Sequence, residues 1–383
     1  MRVVLAGGGT GGHVFPALAL ARELRSRDIE PLMVGTDRGM EAVAFPAEGF
    51  PLETIRVEGL RGMSVGTQVR SLALLPQALI HALRLLRRHQ PRVVVGLGGY
   101  AAGPVCLAGA VRRIPLLIHE QNVSPGLTNR VLARVADMVA VSFEATGALF
   151  GREVVVTGNP VRREVLEGER RKGLEAFQLD PNKKTVLIFG GSQGARRINR
   201  AAVDALPYLD RLRGRLQIVH ATGDRDCAEV ENAYRTWKGD ARVFAFIQDI
   251  ASAYGAADVV VCRAGATTIA ELAALGKPAL LVPYPFAAGD HQRENAMEMV
   301  AVGGARVLLD RDFTGHRLAL ELYELLEDPT VLSTMGRSAR GLGRPEAAAH
   351  LANRIGELAG AGRGVPSAKR IAAERWGRAP KDQ

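Results

Sequence analysis

The chain has 383 residues, 47% hydrophobic and 23% charged, with a formal net charge of +10 and three cysteines. Such a length holds two or three separate cores, and the dispersed Cys106, Cys227 and Cys262, with no C-x-x-C pair, exclude a disulfide scaffold and a thiolate metal site. No H-E-x-x-H spacing occurs and the longest apolar stretch, 272–289, carries Lys277 and three prolines, so neither a zinc centre nor a membrane-spanning helix is expected; the positive charge calls for an acidic partner, whether nucleic acid, anionic lipid or phosphorylated substrate.

In chain order, Val3-Val4-Leu5-Ala6 reads as a short buried strand, too short an apolar run for a signal peptide. Five glycines broken by Thr10 follow, and then a helical pattern with Ala17, Leu20, Ala21 and Leu24 on one face. A glycine turn between strand and helix brings backbone N–H groups and the positive helix end to an anion, so a phosphate-like group is the natural ligand. Gly7-x-Gly9-x-x-Gly12 also satisfies the dinucleotide fingerprint, with Asp37 near the place of a ribose-binding acid; a tight βα turn without a ligand fits the same spacing.

Apolar runs recur at 31–36, 92–99, 115–120, 137–142 and 153–160, and again at 184–195, 216–223, 242–247, 258–266 and 278–285, with a polar, charged stretch at 158–184 between the two series. Uniformly apolar runs suit parallel strands buried on both faces. The expected α/β fold is two doubly wound Rossmann-like domains facing a cleft. The second series opens with another glycine turn containing Ser192 and Gln193, and holds a third at 259–272. Asp224-Arg225-Asp226 and Asp310-Arg311-Asp312 imitate a metal-binding D-x-D but fall in polar breaks, and read as solvated turns.

Residues 71–92 form a helix with Leu72, Leu75, Leu79, Leu83 and Leu86 on one stripe. Leu74, Ile80 and Leu85 spill beyond it, and Arg84, Arg87, Arg88 and Arg92 stand close by, a pattern that suits either a core helix or one partly laid on an anionic bilayer. After Pro345 comes a final helix, and from Arg363 a tail with six Lys or Arg against two acids and Trp376, expected to be disordered. Aromatic residues are 5% of the chain and none clusters with arginines as a stacking platform, which argues against nucleic acid.

Taken together and in order, "GGTGGHVFPALALA", "GLRG", "GGYAAGP", "HEQN", "GNPVR", "GGSQGARRIN", "CRAGATTIAEL" and "DHQRENA" resemble the MurG family of glycosyltransferases, from about Arg2 to Leu358. The resemblance implies a GT-B fold and inverting transfer of N-acetylglucosamine (GlcNAc) from UDP-GlcNAc to the C4 hydroxyl of undecaprenyl-diphospho-N-acetylmuramoyl-pentapeptide. That step converts lipid I to lipid II in peptidoglycan synthesis, and so bears on cell shape and division. It implies neither cofactor nor catalytic metal, a peripheral location on the cytoplasmic face of the bacterial plasma membrane, and partners comprising UDP-GlcNAc, lipid I, an anionic membrane surface and cell-wall synthesis proteins. It assigns residues 1–162, with the helix at 344–360, to acceptor and membrane, and 163–343 to the donor.

Carried residue by residue, the resemblance gives Ser192, Ala266, Thr267 and Thr268 to the UDP diphosphate, Arg162 to the nucleotide edge and the backbone of Ile247 to uracil. Glu271 goes to the ribose, and Gln292 and Asn295 to the sugar, with His291 an alternative to Gln292. In the first domain Gly11, Gly12, His13, Tyr100, Glu120 and Asn122 match the acceptor side, while Thr10, Gly11, Gly12 and Asn122 also border the donor. His13 is the expected catalytic base and Glu120 its rival, since an imidazole with an ordinary pKa near 6.5 is suited to take a proton at neutral pH. Thr268-x-x-Glu271 equally spells a helix capping box. A UDP-GlcNAc 2-epimerase of the same fold and a nicotinamide or flavin oxidoreductase are the competing enzyme classes.

Overall fold

Uninterrupted apolar runs, too hydrophobic for a strand with one wet face, form the centres of two parallel sheets. The computed structural model describes residues 1–57, 65–191 and 193–361, without the side chains of 65–74 and 288. The first sheet comprises β1 (Arg2–Ala6), β2 (Glu30–Gly35), β3 (Leu52–Thr54), β4 (Val93–Gly96), β5 (Leu116–Glu120), β6 (Met138–Val141) and β7 (Val155–Val156), in the order β3-β2-β1-β4-β5-β6-β7. The second comprises β8 (Lys184–Phe189), β9 (Leu216–Ala221), β10 (Asp240–Phe244), β11 (Val259–Cys262), β12 (Ala279–Leu281) and β13 (Ala305–Val307), in the order β10-β9-β8-β11-β12-β13.

Around the first sheet lie α1 (Gly11–Arg25), α2 (Glu41–Ala47), α3 (Val65–His89), α4 (Ala102–Val111) and α5 (Leu127–Leu132). The second carries α6 (Arg163–Leu166), α7 (Arg170–Ala176), α8 (Arg196–Ala205), α9 (Cys227–Trp237), α10 (Ile250–Ala256), α11 (Ala266–Leu275), α12 (His291–Ala301), α13 (Gly315–Glu327) and α14 (Pro329–Leu342). A last helix, α15 (Ala347–Ala361), packs on α1. Two compact units result: Met1–Pro160 together with the chain from Glu346, and Val161–Pro345.

Side-chain alternation along β1 divides the first core. Val3 and Leu5 join Leu20 and Leu24 of α1, Phe45 of α2, and Leu351 and Ile355 of α15; Val4 and Ala6 join Leu85 and Leu86 of α3, Val105 of α4 and Leu132 of α5. Each aliphatic side chain so buried stabilises by about 1.5–3 kcal/mol.

Two readings of the sequence change. β3 and β13 fall outside the expected runs because each is a three-residue strand at a sheet edge, without the continuous apolar signal of the interior. The polar stretch 158–184, where the boundary was expected, contains the division between the units at Pro160–Val161, and from Arg163 it folds as α6 and α7; a Cβ on Gly173 of α7 would stand 2.2 Å from the Ser252 carbonyl oxygen, so this glycine lets α7 press against α10. On α3, Leu85 is buried while Leu75 and Ile80 are exposed, reversing the expected places of Leu75 and Leu85. The "GLRG" motif, the side chains of Leu72 and Leu74, Ser192 and the basic tail from Arg363 lie outside what the structure describes.

Candidate active site

In each sheet the strand order reverses direction beside the first strand of its unit, between β1 and β4 and between β8 and β11. Loops leaving the carboxyl ends of such a pair diverge and open a crevice, the usual ligand site of doubly wound sheets.

In the first unit the turn after β1 meets the turn after β4 backbone to backbone. A Cβ on Gly99 (φ +80°) would lie 2.3 Å from the Gly8 carbonyl oxygen, so only glycine permits this approach. His13 stands in the first turn of α1, its backbone N–H donating to the Thr10 carbonyl at 3.0 Å. Its ring lies over Gly98 (φ +88°), where an added Cβ would be 2.7 Å from Nδ1 and Cε1 and 3.5 Å from Gln121 Oε1. Gln121 is itself fixed by an Nε2–H donated to the Leu97 carbonyl at 2.6 Å. Tyr100 follows these glycines and is 54% exposed.

Glu120 ends β5 almost fully buried. Its Oε1 accepts from Asn122 N at 3.0 Å and Asn122 Nδ2 at 3.2 Å, and its Oε2 from Gly126 N at 3.1 Å and Asn129 Nδ2 at 2.8 Å. Four donors converge on two oxygens, so this carboxylate organises the loop after β5. His119, one residue earlier, donates Nε2–H to the Gly158 carbonyl at 2.9 Å; burial, aided by the nearby His13, pulls its pKa down to about 4, which keeps it neutral at pH 7. Asn129 carried no motif signal: it lies nine residues beyond Glu120, and only the return of α5 to the end of β5 joins them.

The Asp37 side chain is 58% exposed, beside Arg38. The acid that reaches the first glycine turn is Glu41, fully buried at the start of α2, which accepts from Gly9 N at 2.7 Å.

In the second unit Gly265 is the N-cap of α11, with Ala266, Thr267 and Thr268 forming its first turn. Glu271 therefore lies past the helix start and caps nothing. Its carboxylate accepts from Tyr254 Oη at 3.0 Å and from Arg162 Nη2 at 3.4 Å. Burial raises its pKa, and the Arg162 guanidinium pulls the other way. Tyr254, the largest fully buried side chain among the described residues, was invisible to motif reading because aromatic residues of α/β cores carry no distinguishing pattern.

Gln292 Oε1 accepts from Tyr284 N at 3.0 Å, and Asn295 Nδ2 donates to the Ala264 carbonyl at 3.4 Å. Both α12 side chains are thereby tied to the loops after β12 and β11. His291 is the first residue of α12, and Ile247 is buried in the loop after β10, next to the exposed Phe246. Asp310 is no solvated turn residue: it pairs with Arg263 at 2.6 Å, while its backbone carbonyl accepts from Arg197 Nε at 3.0 Å. Asp226 is likewise engaged, accepting from Asn199 Nδ2 at 2.7 Å.

Two doubly wound units with glycine turns at their switch points form the GT-B fold, and the family matches make the chain a glycosyltransferase of that fold. The glycosyltransferase family 28 N-terminal domain matches residues 3–141 and the family 28 C-terminal domain residues 185–351. Within that class the chain belongs to the MurG family of N-acetylglucosaminyltransferases. It is 45% identical, over 99% of its own length and 98% of the relative's, to the UDP-N-acetylglucosamine–N-acetylmuramyl-(pentapeptide) pyrophosphoryl-undecaprenol N-acetylglucosamine transferase of Anaeromyxobacter sp. (strain Fw109-5). The crystal structure of Acinetobacter baumannii MurG superimposes with a TM-score of 0.75 at 31% identity, covering 93% of this chain and 99% of that one. A Neisseria meningitidis UDP-GlcNAc 2-epimerase aligns with a TM-score of 0.67 at 13% identity over 93% and 100% of the two chains, a likeness of fold alone.

Proposed function

We propose that the chain transfers GlcNAc, with inversion, from UDP-GlcNAc to the C4 hydroxyl of the N-acetylmuramoyl sugar in undecaprenyl-diphospho-N-acetylmuramoyl-pentapeptide. The observation that carries this reading is the 45% identity, over nearly the whole of both chains, to a relative named for this transfer. In the reaction His13 accepts the hydroxyl proton as the oxygen attacks the anomeric carbon, and the bond to the β-phosphate oxygen breaks to release UDP. The amino end of α11 stabilises the charge gathering on the diphosphate. Arg162, Glu271, Gln292 and Asn295 hold the donor, and His13 is favoured over Glu120 as base because four donors already bind the Glu120 carboxylate. Incubation with labelled UDP-GlcNAc and a short-chain lipid I analogue is expected to yield a disaccharide on the lipid. Formation of UDP-N-acetylmannosamine without acceptor would instead make the chain an epimerase.

We further propose peripheral attachment to an anionic membrane, at the cytoplasmic face where a nucleotide sugar is available. Among the described residues no helix is long and apolar enough to cross a bilayer. Support comes from a surface wider than residues 71–92. Ile80 on α3, Leu107 and the 62% exposed Val111 on α4, and the 70% exposed Leu127 at the start of α5 all reach solvent, with Arg84, Arg112, Arg113 and Arg130 exposed nearby in sequence and α4 packed against both α3 and α5. Changing Arg84, Arg87 and Arg88 together to Gln is expected to weaken binding to anionic vesicles by roughly a hundredfold at low salt, since each basic residue near the surface contributes ~1 kcal/mol, and added salt should narrow the gap to the parent. Equal sedimentation of mutant and parent with vesicles would move attachment to another part of the chain.

A further inference from the structure

A carboxylate buried without a cationic partner needs a reason, because desolvating a charge is costly unless its oxygens are bonded. Glu41 is fully buried, and among the described residues no Lys, Arg or His forms an ion pair with it. Its partners are neutral: Oε2 accepts from Gly9 N at 2.7 Å, and Oε1 from Thr36 N at 3.1 Å and Thr36 Oγ1 at 2.7 Å. These bonds outweigh the burial, holding the Glu41 carboxyl below the ordinary carboxylate range and hence ionised at neutral pH.

The backbone is shaped to receive this group. A Cβ at Gly8, Gly35 or Gly39 would stand 2.3, 2.6 or 2.0 Å from Glu41 side-chain atoms, so three glycines from three segments vacate the space the side chain fills. Gly9 has φ +92°, and Gly8 abuts Gly99. The same turn runs through Thr10, whose carbonyl receives the His13 and Val14 amides, into the first turn of α1. The glycine turn of the second unit differs: Gly194 N donates to the Gly191 carbonyl, and among the described residues no carboxylate accepts from a backbone N–H of that turn.

We propose that Glu41 is the positioning residue of the acceptor-side glycine turn: its carboxylate fills the turn from behind, fixes Gly9 and the path into His13, and closes the Gly9 amide to any ligand, so that the acceptor's diphosphate is met by the first turn of α1. The inference rests on the transfer reaction proposed above. It makes the first glycine turn one already supplied with an internal anion.

Glu41→Gln keeps the shape but sets an NH₂ group against either the Gly9 amide or the Thr36 donors. Thr36→Val keeps the charge and removes one of its three donors. In the full-length protein, with UDP-GlcNAc and a short-chain lipid I analogue, Glu41→Gln is expected to lower kcat/KM for the acceptor 10- to 100-fold, and Thr36→Val 2- to 5-fold. The dissociation constant for UDP-GlcNAc should stay within twofold of the parent, with the melting temperature of Thr36→Val unchanged. Parental acceptor kinetics in a folded Glu41→Gln protein would overturn the proposal, as would equal losses of donor and acceptor binding. If Glu41→Gln fails to fold, Thr36→Val decides: parental acceptor kinetics there overturn it. A parent chain that makes no disaccharide would instead refute the transfer reaction itself.

Discussion

Replacing His13 with alanine is expected to lower kcat by about 10²–10⁴-fold and to leave the affinity for UDP-GlcNAc unchanged. The magnitude is that of general-base assistance lost from a transition state in which an alcohol gives up its proton, and the unchanged donor affinity is expected because the residues proposed to hold uracil, ribose and the donor diphosphate, Ile247, Glu271 and Ala266 to Thr268, belong to Val161–Pro345. The imidazole lies so close to Gly98 that a Cβ there would stand 2.7 Å from Nδ1, so the glycine makes room for the ring. Turnover numbers and calorimetric donor binding, measured on the same preparation, check the result. Near-parental kcat across neutral pH would remove His13 as the base; an equal fall in donor affinity would show that His13 serves binding.

Glu271→Ala is expected to weaken UDP-GlcNAc binding roughly 10- to 150-fold, the equivalent of losing one or more hydrogen bonds to a charged group at about 1.5–3 kcal/mol. Two effects combine. In the proposed site the ribose would lose its acceptor, and Arg162, whose guanidinium reaches Glu271 Oε1 at 3.4 Å, loses that carboxylate as a partner. Tyr254 Oη also loses its acceptor inside the core, so a lower melting temperature accompanies the weaker binding. Titration calorimetry with UDP-GlcNAc and thermal unfolding of the free protein separate the two. Unchanged affinity with a lowered melting temperature would make Glu271 a brace for Tyr254 and Arg162 and nothing more.

The interior strands were legible in sequence because burial on both faces demands apolar residues at every position, a pattern that needs no knowledge of neighbours. Edge strands β3 and β13 were not, since an edge needs only one covered side and three residues suffice for pairing. Glu271 shows why motif spacing alone misleads: Thr-x-x-Glu spells a capping box only if the threonine is the N-cap, and the helix begins two residues earlier. Glu41 was illegible for the opposite reason. Nothing in residues 36–41 announces burial, and its decisive partner, Gly9, lies 32 residues away. On α3 the helical period was correct, but the phase that buries Leu85 and exposes Leu75 is set by α4, outside the helix's own sequence.

Because α15 completes the first unit, that unit is split in the chain while the second is continuous. A ribosome therefore delivers all seven strands of the first sheet, then the whole of Val161–Pro345, before it releases the helix that covers Leu20 and Leu24 with Leu351 and Ile355. At 5–20 residues per second the interval is roughly 10–40 s, long against most elementary folding events. During that time one face of the first sheet lacks part of its cover, and the second unit, though made later, is the first whose chain is complete.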